Sequence, residues 1–254
     1  MKNSTNKPKT KFLITLGSCF FIYLCWKLAA LRVGKEIILP HPETAGQTLL
    51  LILGTKEFWL HFGSTLTRGL MGFFLSYAVG LVFGLCSGLD PIFHAFFRPV
   101  LVTVRSTPSM SLILLALIWF RSNAVTVFVT FLVVFPIVAQ NITDGILQID
   151  PTLTEMAHIY RVRPKRQLKS LYLPAIIPYL AAAATAGLGL TWKVMVAAEV
   201  LAAPRWGIGA KMDNARIFLN TAEVFAWTTV IILLGLFFDR VLAYLIQKKI
   251  LHWQ

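Results

Sequence analysis

The feature that most constrains this chain is a recurring one. Apolar runs of about 20 residues, edged by polar and basic residues, return along its 254 positions. A helix needs about 20 residues to cross the roughly 30 Å hydrocarbon core of a bilayer. In lipid the backbone must satisfy its own hydrogen bonds, so such runs fold as helices. Spans are expected near residues 12–31, 65–89, 99–120, 124–143, 174–203 and 224–247. The third is the most interrupted, because Pro99 and Pro108 break it and Arg105 is charged. A short interfacial piece is expected there, ahead of a span proper from Ser109 to Phe120. Composition agrees: 57% of residues are hydrophobic and 14% charged, where soluble domains run near 45–50% and about 25%. The expected fold class is all-α, a polytopic membrane bundle of about six transmembrane helices.

A net charge of +13 could suggest nucleic acid, but the basic residues gather at the edges of apolar blocks, which is how topology is encoded. With the N-terminus inside, the inner segments 1–11, 89–108, 144–173 and 239–254 carry fourteen Lys and Arg against seven outside. Both termini are therefore expected in the cytoplasm. The chain divides on this reading into 1–31, a cytoplasmic N-terminus with the first transmembrane helix; 32–63, a periplasmic segment; and 64–250, a core bundle carrying a cytoplasmic loop at 144–173. Within the periplasmic segment, Leu39-Pro40-His41-Pro42 reads as a turn and 43–53 as a short helix on the membrane surface. The run Phe12 to Leu31 exceeds the 7–15 apolar residues of a signal peptide and lacks a clear cleavage site at Leu28-Ala29-Ala30, so an uncleaved helix is expected. Cys19, Cys25 and Cys86 all lie in apolar runs without metal-ligand spacing and read as packing residues. His41, His61, His94, His158 and His252 are scattered singly and read as interfacial or loop residues with no catalytic role.

No phosphate-binding G-x-x-x-x-G-K-[ST] loop, zinc pair or nucleophile elbow occurs, so the chain is not expected to hydrolyse ATP or act as an enzyme, and no metal or cofactor site is expected. Gly72, Ser76, Gly80, Gly84 and Gly88 place a small residue at every fourth position of the second span, which lets another helix approach closely, as static packing or as a sliding surface. The fifth span carries Trp192, Lys193 and Glu199. Charges at this depth usually face a cavity or a partner. Lys193 either lines a pathway, snorkels or pairs with another helix. Glu199 either pins the loop that follows it or faces the pathway, and Trp192, seven residues earlier, shares its side of the helix.

The loop from Asp144 to Leu173 is the longest hydrophilic stretch on the inner side. Asp150 and Pro151 read as N-cap and first residue of a helix too short to cross the membrane. Leu153, Met156, Ala157 and Tyr160 form its apolar face, and Arg161, Arg163, Lys165, Arg166 and Lys169 follow. This is either a basic loop that sets topology or a docking helix for a soluble partner. Glu155-x-Ala157, then Arg161, then Leu171-x-Leu173-Pro174 resembles the EAA motif of binding-protein-dependent ABC-transporter permeases, with Met156 for the second Ala, Arg161 for the Gly and Leu171 for the Ile. A Gly there permits a sharp bend, so with Arg161 the bend is expected to be wider or to use another residue.

The resemblance runs from about residue 36 to 245. It extends to the nitrate/sulfonate/taurine group through Leu39-Pro40-x-Pro42, Ser64-Thr65-Leu66-x-Arg68, Phe135-Pro136, Ala197-Ala198-Glu199 and Gly207-x-Gly209. It implies a type I importer permease whose EAA loop couples through Glu155, Met156, Ala157, Tyr160, Arg161, Leu171 and Pro174 to a dimer of separate cytoplasmic ATPase subunits, which bind the ATP. A second permease copy, as a homodimer or a related partner, and a periplasmic or lipid-anchored substrate-binding protein are also implied. The location implied is a bacterial inner membrane, and the cargo a small solute such as nitrate, taurine or an alkanesulfonate. A gradient-driven secondary transporter is the alternative. It would need acidic coupling sites in mid-span, and the acidic residues here lie at loops and helix ends.

Overall fold

The computed structural model describes the backbone of residues 8–250 and the side chains of residues 13–246. The described residues contain helices and no strand: α1 (Pro8–Val33), α2 (Pro42–Leu53), α3 (Lys56–Leu89), α4 (Pro91–Ser106), α5 (Ser109–Trp119), α6 (Ser122–Leu147), α7 (Pro151–Ile159), α8 (Pro164–Gln167), α9 (Leu173–Ala202), α10 (Ile208–Ile217) and α11 (Thr221–Ile250). A π-helical turn, Leu168–Tyr172, joins α8 to α9. Five of the apolar stretches are long enough to span: Leu13–Val33, Lys56–Leu89, Ser122–Leu147, Pro164–Ala202 and Thr221–Ile246. The pair α4 and α5, bent by 98°, makes a sixth if counted as one broken span.

The bend has a local cause. Proline disfavours helical backbone at the residue before it, and Thr107 ahead of Pro108 is extended, with ψ 127°. The first half of the pair starts at Pro91, capped by Asp90, whose side chain accepts from the Ile92 N–H. The interruption expected at the third span is thus a full change of direction. One other expectation needs correcting. The second span begins at Lys56 rather than 65, because Lys56 to Ser64 holds no proline and its single glycine, Gly63, does not stop the helix. After the fifth span a further helix, α10, forms.

The chain comprises two compact units, Met1–Trp59 with Lys211–Val230, and Leu60–Ala210 with Ile231–Gln254. In the first, the Tyr23 hydroxyl donates to Glu43 Oε1 at 2.6 Å and Lys27 forms an ion pair with the same oxygen. Hydrogen bonds from Lys27 and Tyr23 hold the Glu43 carboxyl down to a pKa of about 2. Trp26 donates to the Pro40 carbonyl and stacks on Phe225 at 5.2 Å.

The second unit is centred on α6, twelve of whose residues are buried. Phe73, Val138, Ile142, Ile176 and Leu234 belong to one apolar cluster and Ile113, Val129 and Ala198 to another. The small-residue stripe of α3 lies directly on α6. A Cβ at Gly72 would stand 2.8 Å from Thr130, at Gly80 2.8 Å from Val138, at Gly84 2.7 Å from the Ala139 carbonyl and at Gly88 2.7 Å from Ile146. Ser76 is buried between them and donates to the Gly72 carbonyl at 2.7 Å. Hydrogen is the only substituent that fits at these four glycines, so the two backbones are in contact.

Candidate functional site

Two arrangements in the second unit concentrate the polar chemistry. The first lies where α9 ends and α10 begins. The opening N–H groups of a helix have no partner inside it, and here side chains from α3 and α9 supply partners. The Gly207 N–H donates to His61 Nδ1, the Ile208 N–H to Thr65 Oγ1 and the Gly209 N–H to Glu199 Oε2, each at 2.9 Å. A carboxylate at this place also suits the positive end of the helix dipole. The two glycines are required by space, since a Cβ would come within 2.8 Å of the Glu199 carboxylate carbon at Gly207 and 2.5 Å of the Val196 carbonyl at Gly209.

Glu199 is fully buried. Besides Gly209 it holds the Thr65 hydroxyl, 2.9 Å from both carboxylate oxygens, and the Arg68 guanidinium at 2.5 Å. Arg68 reaches further, to Asn123 Oδ1 at 2.9 Å and the Trp206 carbonyl at 2.6 Å. One buried ion pair therefore ties α3, the start of α6, the α9 end and the loop before α10 together. Its chemistry is positional: every oxygen of Glu199 is directed at a protein donor.

The residues picked from sequence for a pathway separate here. Glu199 sits in this network and Trp192 is 2% exposed, packed over Gly69, with its indole nitrogen buried and without a partner among the described residues. Lys193 is exposed. It shares a small, open face of α9 with Ala182 and Ala186, which are exposed, and with Gly189, which has nothing near its missing Cβ. His61 is not a loop residue: it lies inside α3, 4% exposed. His252 lies outside the described residues. Arg68 and Thr65 were noted only as family marks. The signal that could have found them is that an arginine embedded in an apolar helix needs an acid, and Glu199 is embedded likewise.

The second arrangement is the loop between α6 and α9. Asp150 caps α7, accepting from the Thr152 N–H at 2.9 Å and the Thr152 hydroxyl at 2.8 Å. These two bonds hold its carboxyl below the usual carboxylate range. At the other end the Arg161 N–H bonds to the His158 carbonyl and the Val162 N–H to the Ala157 carbonyl, at 3.0 and 2.9 Å. This is the paired pattern of a Schellman cap, and Arg161 adopts the left-handed conformation it demands, with φ +50°. The expectation of a wider or displaced bend is thus overturned. Arg161 takes up the backbone shape that a glycine would adopt, fixed by the two capping bonds and by Gln167, whose side chain donates to the Val162 carbonyl at 2.8 Å.

The apolar side chains of α7 have no cover. Leu153, Met156, Ile159 and Tyr160 are 47–75% exposed. Leu153, Met156, Ala157, Tyr160 and Leu171 line an open groove of about 400 Å³. Glu155 and Pro174 are exposed as well. Behind the loop, the Tyr179 hydroxyl donates to Gln148 at 2.6 Å and its ring fills the space over Gly145. The loop is thereby anchored at the C-terminal end of α6 and the N-terminal end of α9.

These features define a class: a multi-pass helical membrane protein with a short capped amphipathic helix exposed in one loop. The family model for "Binding-protein-dependent transport system inner membrane component" matches residues 76–251, and the chain belongs to that family, the permease subunits of ABC transporters. Over 253 residues it is 32% identical to the aliphatic sulfonates transport permease protein SsuC of Escherichia coli (strain K12), covering 97% of this chain and 95% of that protein. It is 27% identical over 234 residues to the taurine transport system permease protein TauC of the same organism, covering 90% and 84%. The inward-facing MetNI methionine ABC transporter has a chain of the same fold, with TM-score 0.61 at 16% identity over 73% of this chain and 96% of that one.

Proposed function

We propose that this permease forms the translocation pathway of an ATP-driven importer and is coupled through α7 to a separate cytoplasmic ATPase dimer that binds the ATP. The observation that carries the reading is α7 itself. It is a nine-residue helix, capped at both ends, whose Leu153, Met156, Ile159 and Tyr160 are all exposed. Leaving such a surface in water is unfavourable, and a groove on a soluble partner is the economical cover. Glu155, at the EAA position, meets the partner beside Met156 and Ala157. Arg161 sets the exit angle, and Leu171 and Pro174 start the helix that carries motion into the membrane. In this reading the loop and both termini face the cytoplasm and the membrane is a bacterial inner membrane. A second copy of the chain completes the pathway, and a binding protein delivers the solute from outside.

The solute we propose is a small anion of the sulfonate kind. The supports are the names of the taurine and sulfonate relatives and the exposed Lys193 on the small-residue face of α9. Trp192 and Glu199 serve that face from behind, by fixing the helix that presents it. The test is affinity purification of the tagged chain in mild detergent, with ATP hydrolysis assayed for wild type, Glu155→Lys and Met156→Asp. An ATPase that co-purifies with wild type and is lost or uncoupled in both variants supports the coupling. A chain that emerges stable and alone, with uptake driven by an ion gradient, overturns it in favour of a secondary transporter. Normal uptake at low taurine by Lys193→Met would remove Lys193 from the pathway.

A further inference from the structure

The Schellman turn gathers charge as well as redirecting the chain. Tyr160, Arg161, Val162, Arg163, Lys165 and Arg166 line an open cleft of about 570 Å³. Arg161, Arg163, Lys165, Arg166 and Lys169 lie within nine residues, all exposed, with no acidic residue among them. None of the four ion pairs among the described residues includes any of them. We propose that this cleft binds the anionic headgroups of phospholipids in the adjoining leaflet. The shared chemistry is a phosphate diester, and the source is the membrane rather than a soluble phosphate.

Position argues for lipid. The helical stretch Pro164–Ala202 is 39 residues long. At 1.5 Å per residue, the 30 residues of α9 cover about 45 Å, the full thickness of a bilayer with its headgroups. Residues 164–172 then emerge at the headgroup surface, and the cleft opens beside them. Leu168, Leu173 and Ile177, 38–43% exposed, run from the basic residues along the helix into the span. A headgroup in the cleft can lay its acyl chains there. An acidic protein surface would use the charges and leave that apolar run unexplained. Basic clusters directly flanking a span are attracted to anionic lipid by roughly fivefold in affinity per charge. The proposal requires only that the loop meets a leaflet, so it stands apart from the identity of the transported solute.

The experiment is native mass spectrometry of the full-length chain in detergent, titrated with phosphatidylglycerol or phosphatidylcholine, for wild type and Arg163→Gln/Lys165→Gln/Arg166→Gln. Wild type should retain phosphatidylglycerol over phosphatidylcholine. The triple variant should lose that preference by about a hundredfold, three charges at fivefold each, and salt should erase it in wild type. Arg163→Lys/Arg166→Lys keeps charge and topology and should keep the preference. Glycerol phosphate at the same concentration should not displace the lipid; if it does, the cleft is a soluble-phosphate site. Equal retention by wild type and triple variant overturns the proposal. So does a triple variant that keeps its lipid and instead loses a co-purifying ATPase, which would make the charges a protein contact.

Discussion

Removing either member of the Arg68–Glu199 pair should hurt more than removing both. Arg68→Met leaves a buried carboxylate and Glu199→Met leaves a buried guanidinium. Stranding one charge of a buried pair costs about 3–5 kcal/mol, whereas exchanging the whole pair for apolar side chains of similar volume is often neutral. Here the double variant is not neutral, because the buried Gly209 N–H loses its partner, while the half-buried Trp206 carbonyl stays within reach of water. A buried group left unsatisfied costs about 1–3 kcal/mol. Simple addition of the singles gives about 6–10 kcal/mol against an expected 1–3 for the double, a coupling of at least about 3 kcal/mol. At about 2–4 °C per kcal/mol for a chain of this size, each single should lower the midpoint of thermal unfolding in detergent by roughly 6–20 °C. The double should lie above both singles. Fluorescence-detected size exclusion after heating reads this directly. A double variant that falls as far as the two singles summed would refute the reasoning, since it would mean the two side chains do not share one interaction.

Other outcomes follow from single contacts. Gly84→Ala drives a methyl against the Ala139 carbonyl and should cost about 1–3 kcal/mol, while Gly63→Ala, in the same helix with nothing within 4 Å, should gain about 0.5–1 kcal/mol; unfolding midpoints of the two variants compare them. Arg161→Gly relieves a left-handed residue and should gain up to about 1 kcal/mol, whereas the β-branched Arg161→Val should lose about 1–3 kcal/mol, read as slower and faster amide exchange at Val162. The Glu43 carboxyl, held down by Lys27 and Tyr23, should titrate near 2 by carbon-13 NMR. Its depressed value means the tie between α1 and α2 is fully present above the ordinary carboxylate range and is lost as pH falls through about 2. A midpoint near 4.5, its ordinary value, would contradict the contact.

What could be read from sequence was what short-range physics writes there. The spans follow from apolar run length, the α7 start from Asp150-Pro151, and the α4–α5 break from Pro108. The small-residue spacing of α3 announced a close neighbour, though not that the neighbour is α6. The misses are long-range or backbone-specific. Arg68 and Glu199 are 131 positions apart, and nothing local pairs them. The helix α10 is short, and its start depends on three side chains borrowed from α3 and α9. Arg161 holds a conformation its residue type disfavours, because capping bonds on both sides outweigh that preference. A rule keyed to glycine passes over it.

The triple grip on residues 207–209 has a mechanical consequence. The C-terminal end of α9 is clamped to α3 by an ion pair and to the start of α10 through successive amides, so it has little compliance of its own. The N-terminal end is different: a π-helical turn occupies Leu168–Tyr172, and Pro178 removes a backbone donor inside the helix that follows. Slack is concentrated where α9 receives the loop and stiffness where it hands over to α10. A push on α7 would therefore be taken up first in this soft joint, and whatever passes it would travel along α9 as along a lever arm of about 45 Å. The clamp at residues 207–209 must then turn as one piece with α3 rather than open residue by residue.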